Sequence, residues 1–305
     1  MKDLHLHLSG ATSPVLLFEM ICETGIKIKE RNYWRFLNLI SMKKDEINSL
    51  DDYIKTVQII DEAQSSPRAV ELSFFDSYKN SFLAGCDYLE LRWNPFKRSQ
   101  NFKIDLDKLI VSARSGFEKA NSIFGIDGGM ILCMGRDCTA EQNEGIFKKA
   151  IQHHKRGVIG IDVAGPEDRI PLKPEFEEYY RTANALGLLT TIHCGEPYYE
   201  EVEDTIATVL EKYKPQRIGH GIQICRFPEL MKKASSMGII FEICMSSNLM
   251  TKSVKKKEDF LKIFKAFEEY NIKYVICSDN LFSIRTTIAN ENAMYNELIE
   301  FANKK

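Results

Sequence analysis

The sequence predicts an α/β protein built as a (β/α)8 barrel, with a helical insertion between strand 1 and strand 2. Three observations carry that expectation. Eight short apolar runs recur along the 305 residues, amphipathic stretches of roughly ten to twenty residues separate the last seven, and chemically distinctive residues gather at the ends of the runs. Nearly continuous apolar strands that alternate with helices indicate a parallel sheet covered on its outer side. Eight such units favour a closed barrel of the TIM type over an open doubly wound sheet. The open sheet should show G-x-G-x-x-G after its first strand, and this chain reads "SGATSP" there.

The first run, "LHLHL" (4–8), holds two of the six histidines. Alternate residues of a strand share a face, so His5 and His7 project the same way. An imidazole in an apolar strand needs a polar partner. Two on one face suit a shared metal ion, and a pair of hydrogen-bonded structural histidines is the alternative. The stretch 9–86 is irregular, with helical candidates at 14–24, 51–64 and 69–84 and turn-like "SMKKDEINSL" and "QSSPRA". An excursion at the mouth of a barrel is expected to form a lid or pocket wall.

The remaining strands are expected at 87–93, 128–134, 158–164, 188–194, 217–221, 239–245 and 274–280. Helices are expected at 104–120, 139–156, 172–186, 201–213, 226–236 and 256–270, with 283–303 as the closing helix. "KKEDFLKIFKAFEEY" places its apolar residues three and four apart, as a surface helix should. No linker or repeat calls for a second domain, so 1–305 reads as a single barrel domain with 9–86 as its insertion.

A composition of 44% apolar and 28% charged residues is that of a globular protein, and a net charge of -2 gives no footprint for nucleic acid or a membrane surface. The expected setting is cytoplasmic. No apolar run approaches a membrane span, Lys2-Asp3 leads directly into the histidine strand without a signal peptide, and the eight cysteines show no C-x-x-C spacing, as for reduced, buried thiols.

His193 ends the fifth strand, His220 the sixth and Asp279 the eighth. The C-terminal ends of parallel barrel strands converge on one mouth, so His5, His7, His193 and Asp279 are expected to meet. Three imidazoles and a carboxylate suit one Zn²⁺ per chain, with Fe²⁺ or Mn²⁺ less well matched. The fourth strand, "VIGIDVAG", lacks the lysine that bridges two metals in binuclear barrel hydrolases, which favours a single ion. Glu196, three residues after His193 in "HCGEP", is placed to move protons beside the ion. Gly165 and Gly219 suggest close backbone approach. His153 and His154 end a basic helix and read as surface residues.

Taken together, "LHLHLSGA", "DYLELRWNP", "GIDVAGPE", "HCGE", "RIGHG", "FEICMSSN" and "CSDN" resemble the adenosine deaminase family, the single-zinc branch of the amidohydrolase barrels, and occur in that family's order. The resemblance implies that His5, His7, His193 and Asp279 hold zinc and that Glu196 protonates purine N1. It implies that His220 orients or deprotonates the attacking water and that the Gly165 amide meets purine N3. Ser247 matches a serine that supports the sixth-strand histidine. Two departures bear on the substrate. Ser9 stands where the nucleoside deaminases have an aspartate for the ribose 5'-hydroxyl, and Asn280 where they have a second aspartate at purine N7. An amide still donates at N7, while serine removes a charged acceptor, and with it a repulsion toward a phosphate.

The expected partner is a small-molecule 6-aminopurine, with no nucleic acid and no membrane, and the oligomeric state stays open. Adenosine-like nucleosides, adenine and N6-substituted AMP or 5'-modified adenosine are all substrates to consider. A hydrolase of another bond and a non-catalytic purine-binding barrel are the rival readings. Arg285, just after the eighth strand, is a candidate phosphate ligand, because barrels often bind phosphate there, or a surface arginine.

Overall fold

The computed structural model describes residues 1–24, 30–41, 50–100 and 103–303. Eight strands form one parallel sheet in sequential order: β1 (Lys2–His7), β2 (Tyr88–Trp93), β3 (Asp127–Gly135), β4 (Val158–Ala164), β5 (Leu189–Cys194), β6 (Arg217–His220), β7 (Ile240–Ile243) and β8 (Lys273–Ile276). The segment just beyond β8 closes the barrel against β1. His7 N donates to Asp279 O at 3.0 Å, and Asp279 N donates to His5 O at 2.7 Å. The fold is a (β/α)8 barrel.

Each strand has two populations of side chains. On β2, Leu89, Leu91 and Trp93 are buried in the main apolar core, whereas Glu90 and Arg92 are buried among polar partners on other strands. The period of two sends one set outward under the helices and the other into the barrel. The helices Pro67–Leu83 and Leu106–Phe124 cover the β2 side with Phe74, Tyr78, Leu109 and Ile110. They are punctuated as the sequence suggests. Ser66 and Asp105 accept from backbone N–H groups of the first turns, and Gly125, at φ 71°, ends the second helix in the left-handed region.

The insertion forms the helices Pro14–Thr24, Tyr33–Ile40, Leu50–Ala63 and Pro67–Leu83. Tyr33–Ile40 was not foreseen, although Asn32 caps it by accepting from Trp34 and Arg35. The expected turn over 42–49 lies outside the described residues. Leu17, Met20, Phe36, Ile40 and Ile60 pack into a small separate core that holds these helices together.

Several expected boundaries shift. The ladder of β7 ends at Ile243 and that of β8 at Ile276, so the residues after them turn into the mouth rather than extend the strands. The last helix is Ile288–Asn303 and leaves 283–287 as a turn. His153 is not a surface residue. It is 6% exposed, and its Nε2 lies 2.8 Å from Asp107 Oδ1 on the neighbouring helix. All eight cysteines are free, and six are buried. Among the described residues no helix is long and apolar enough to cross a membrane.

Candidate active site

The mouth of the barrel holds four of the six histidines as one group of mutually tilted rings, with centroids 4.7 Å apart for His5–His193, 5.0 Å for His5–His220 and 5.0 Å for His7–His193. His5, His7 and His193 each turn a ring nitrogen toward a common point, and these atoms lie within 4.8 Å of one another. His7 Nε2 is 3.0 Å from His193 Nε2. Asp279 Oδ1 stands 3.7 Å from His5 Nε2 and 3.6 Å from His7 Nε2.

The far side of two of these rings is held by carboxylates. His5 Nδ1 contacts Glu242 Oε2 at 2.8 Å, and His193 Nδ1 contacts Asp162 at 3.0–3.2 Å. A hydrogen on each Nδ1 leaves the Nε2 lone pair facing the common point, the arrangement that carboxylates impose on metal-binding histidines. His5 Nε2 is buried and has no hydrogen-bond partner. An orphaned imidazole nitrogen aimed at two others is costly without a ligand, and the donor set fits one borderline divalent cation such as Zn²⁺.

Arg92 ties the supports to one another. It donates to Asp162 Oδ2 at 3.1 Å and to Glu242 Oε2 at 2.9 Å, wholly buried. Burial opposes the Asp162 charge, but His193 and Arg92 outweigh it and hold this carboxyl below its ordinary range. Glu242 also pairs with Arg217 on β6, which pairs in turn with Glu90 on β2. The barrel interior is thus a connected ionic lattice of two guanidinium groups and three carboxylates beneath the histidines. Gly219 is required by crowding: a Cβ there would lie 2.9 Å from His5 Cε1.

A cavity of about 120 Å³ opens above the group, many times the 10–15 Å³ a single water needs. His7, His193, Glu196, His220 and Asp279 line it, with Ser9, Gly165 and Ser247. The insertion contributes Val57 and Asp61, and the short helix Pro95–Ser99 contributes Lys97 and Arg98. Both cations have partners: Lys97 donates to Asp137 at 2.8 Å, and Arg98 lies 2.7 Å from Asp61.

Glu196 is 5% exposed, and burial raises its pKa despite hydrogen bonds from Thr251 and Asn248 to Oε1. Its Oε2 is 3.6 Å from His220 Nε2. The turn carrying Glu196 is clamped from below, since Glu167 accepts from Gly195 N at 2.8 Å and Glu196 N at 2.6 Å. Burial also raises Asp279 and lowers His220 to about 4. Both residues sit in the left-handed region, at φ 62° and 58°. Such backbone costs about 1–3 kcal/mol per residue and persists where surrounding structure enforces it.

Ser247, Asn280 and Arg285 differ in whether they reach the cavity. Ser247 hydrogen-bonds Asp279, and the residue beside His220 is Asn248, whose Nδ2 lies 3.1 Å from His220 Nδ1. Asn280 is fully buried against Gly10, its Oδ1 accepts from Ser283 N at 3.0 Å, and it is not part of the cavity wall. The left-handed turn at Asp279 sends the two neighbouring side chains apart. Arg285 is exposed and lies outside the cavity wall. The supporting residues Asp162, Glu242, Arg92, Glu167, Asn248 and Thr251 were not assigned roles from sequence. For Asp162 and Glu242 the signal is a lone charged residue at the centre of an apolar run, "GIDVA" and "IFEIC".

A family model described as adenosine deaminase matches residues 1–305. An adenosine deaminase of Vibrio vulnificus is 27% identical over 290 residues, covering 95% of this chain and 85% of that protein. Among solved structures, the Arabidopsis N6-mAMP deaminase MAPDA superposes with a TM-score of 0.81 at 25% identity, covering 98% of this chain and 87% of that one. Arabidopsis ADAL complexed with IMP gives 0.81 at 25% identity, with 98% and 86% covered. With a family match over its whole length and relatives of this kind, the chain belongs to the adenosine deaminase family and is an aminohydrolase acting on adenine compounds.

Proposed function

We propose that the chain is a zinc-dependent deaminase that hydrolyses the 6-amino group of a purine nucleoside or close derivative, releasing ammonia and leaving a 6-oxopurine. The observation that carries this reading is the buried Glu196 carboxyl beside His220 on the wall of the cavity that His7 and His193 also line. His5, His7, His193 and Asp279 would hold the ion. When bound, it supplies Lewis acidity that makes water nucleophilic near neutral pH.

The remaining work falls to the protein. Attack at C6 of an aromatic ring is slow unless N1 gains a proton as charge develops, and Glu196, whose acid form burial favours, donates it. His220 and Asp279 face the attacking water and fix its orientation. Gly165, at φ 125° on the cavity wall, offers its backbone amide to the purine edge. The closed wall orders the ring and excludes bulk water.

A 5'-phosphorylated or N6-substituted substrate is the second reading. It is favoured by Lys97 on the cavity wall and by Ser9 in place of an acid. The Arabidopsis relative that binds IMP supports that alternative. The deciding experiment measures amine release, as ammonia from adenine, adenosine and AMP and as methylamine from N6-methyl-AMP, alongside metal content. Release from a nucleoside supports the first reading and release from the AMP derivatives the second. Consumption without release of ammonia or methylamine would refute deamination.

A further inference from the structure

Asn248 lies on the short helix Met245–Met250 after β7, fully buried and outside the cavity wall. Its amide nitrogen has two polar neighbours, His220 Nδ1 at 3.1 Å and Glu196 Oε1 at 3.3 Å. An amide NH₂ has two hydrogens and accepts nothing, so it gives one to each. Thr251 Oγ1 donates to the same Glu196 oxygen at 2.9 Å.

The orientation of the amide follows from its surroundings. Asn248 Oδ1 has no hydrogen-bond partner. The inverted amide would leave both N–H groups without one and set Oδ1 against Glu196 Oε1, which already accepts from Thr251. An orphaned carbonyl is the smaller cost.

We propose that Asn248 is a positioning residue that sets where the hydrogens of the catalytic pair reside. His220 accepts at Nδ1, so the neutral ring carries its hydrogen on Nε2. Glu196 accepts twice at Oε1, so the acid form carries its hydrogen on Oε2. Those two atoms are 3.6 Å apart. One buried side chain therefore sets the donor direction of both groups before any substrate arrives. The inference rests on Glu196 and His220 being the proton-handling pair, and it is independent of which purine is turned over.

The test combines a spectroscopic and a kinetic arm. Nitrogen NMR of the purified protein labelled with ¹⁵N-histidine, with the His220 signal identified by its loss in His220→Gln, is expected to show Nε2 protonated and Nδ1 bare. In Asn248→Asp, which swaps the donor for an acceptor of the same shape, the pattern inverts. The kcat for ammonia release falls about 100-fold while KM changes less than about threefold, within the range general acid–base catalysis supplies. Thr251→Val is expected to lower kcat roughly tenfold, and Thr251→Ser to restore it. A wild-type His220 protonated at Nδ1 overturns the proposal, as does Asn248→Asp with unchanged kcat. Should no 6-aminopurine be consumed, deamination fails as a function, while the NMR arm still decides the proton placement. That arm on the wild type needs no variant beyond the one used for assignment.

Discussion

Glu196 shows how one side chain acquires a chemical task from its surroundings. Burial is the largest influence on it and raises its pKa, while the donors Thr251 and Asn248 pull the other way without reversing the shift. The acid form is the one that donates, so turnover should fall as pH rises through this raised pKa. A kcat/KM for ammonia release that climbs steadily up to about pH 9 would contradict the assignment. Glu196→Gln keeps the shape and the metal ligands but has no proton to give. It is expected to retain bound zinc and lose about 10²–10⁴-fold in kcat, checked by metal analysis and steady-state kinetics. Gly219 acts by having no side chain. Gly219→Ala would press a Cβ against a His5 ring that Glu242 holds in place. Overpacking of about 1–3 kcal/mol should appear as zinc affinity about 5- to 150-fold weaker, measured by competition with a chelator.

Strands β2, β4 and β7 contribute something the histidine count alone does not reveal. Arg92 joins Asp162 and Glu242, and these two carboxylates orient His193 and His5. Glu242→Gln removes the charge that fixes His5 while keeping the volume. Zinc affinity is expected to drop about 10–100-fold, measured by the same competition, and an unchanged affinity would remove β7 from the design. This layer also marks how far the sequence could be read. Strand ends were legible because apolar runs and their terminal histidines repeat, and parallel topology then brings His5, His7, His193 and Asp279 together. Which way Asn280 or Ser247 faces was not legible, because each follows a strand that stops early and turns. A shift of one residue in a turn redirects a side chain completely. Glu242, Asp162 and Arg92 were visible as isolated charges in apolar runs, but their partners lie on distant strands and no local spacing pairs them.

Across the barrel, the residues proposed to hold the ion, His5, His7, His193 and Asp279, come from β1, β5 and the segment after β8. An ion held by all three braces the closed state and not the open chain, so its free energy of binding adds to stability. At a zinc concentration about 100-fold above its dissociation constant the gain is about 2.7 kcal/mol, which corresponds to roughly 5 °C in unfolding midpoint for a domain of this size. Treatment with a chelator should lower the midpoint by that order, and added zinc should restore it. A midpoint indifferent to chelation would show that the histidines do not share an ion.

The hydrogen bonds between Asp279 and the backbone of His5 and His7 carry a further implication for how the protein is made. A growing polypeptide presents His5 and His7 about 270 residues before Asp279. Until that later segment emerges, the nascent chain carries an unfinished pocket and an unmet strand edge. Chemistry begins only when the segment after β8 docks against β1.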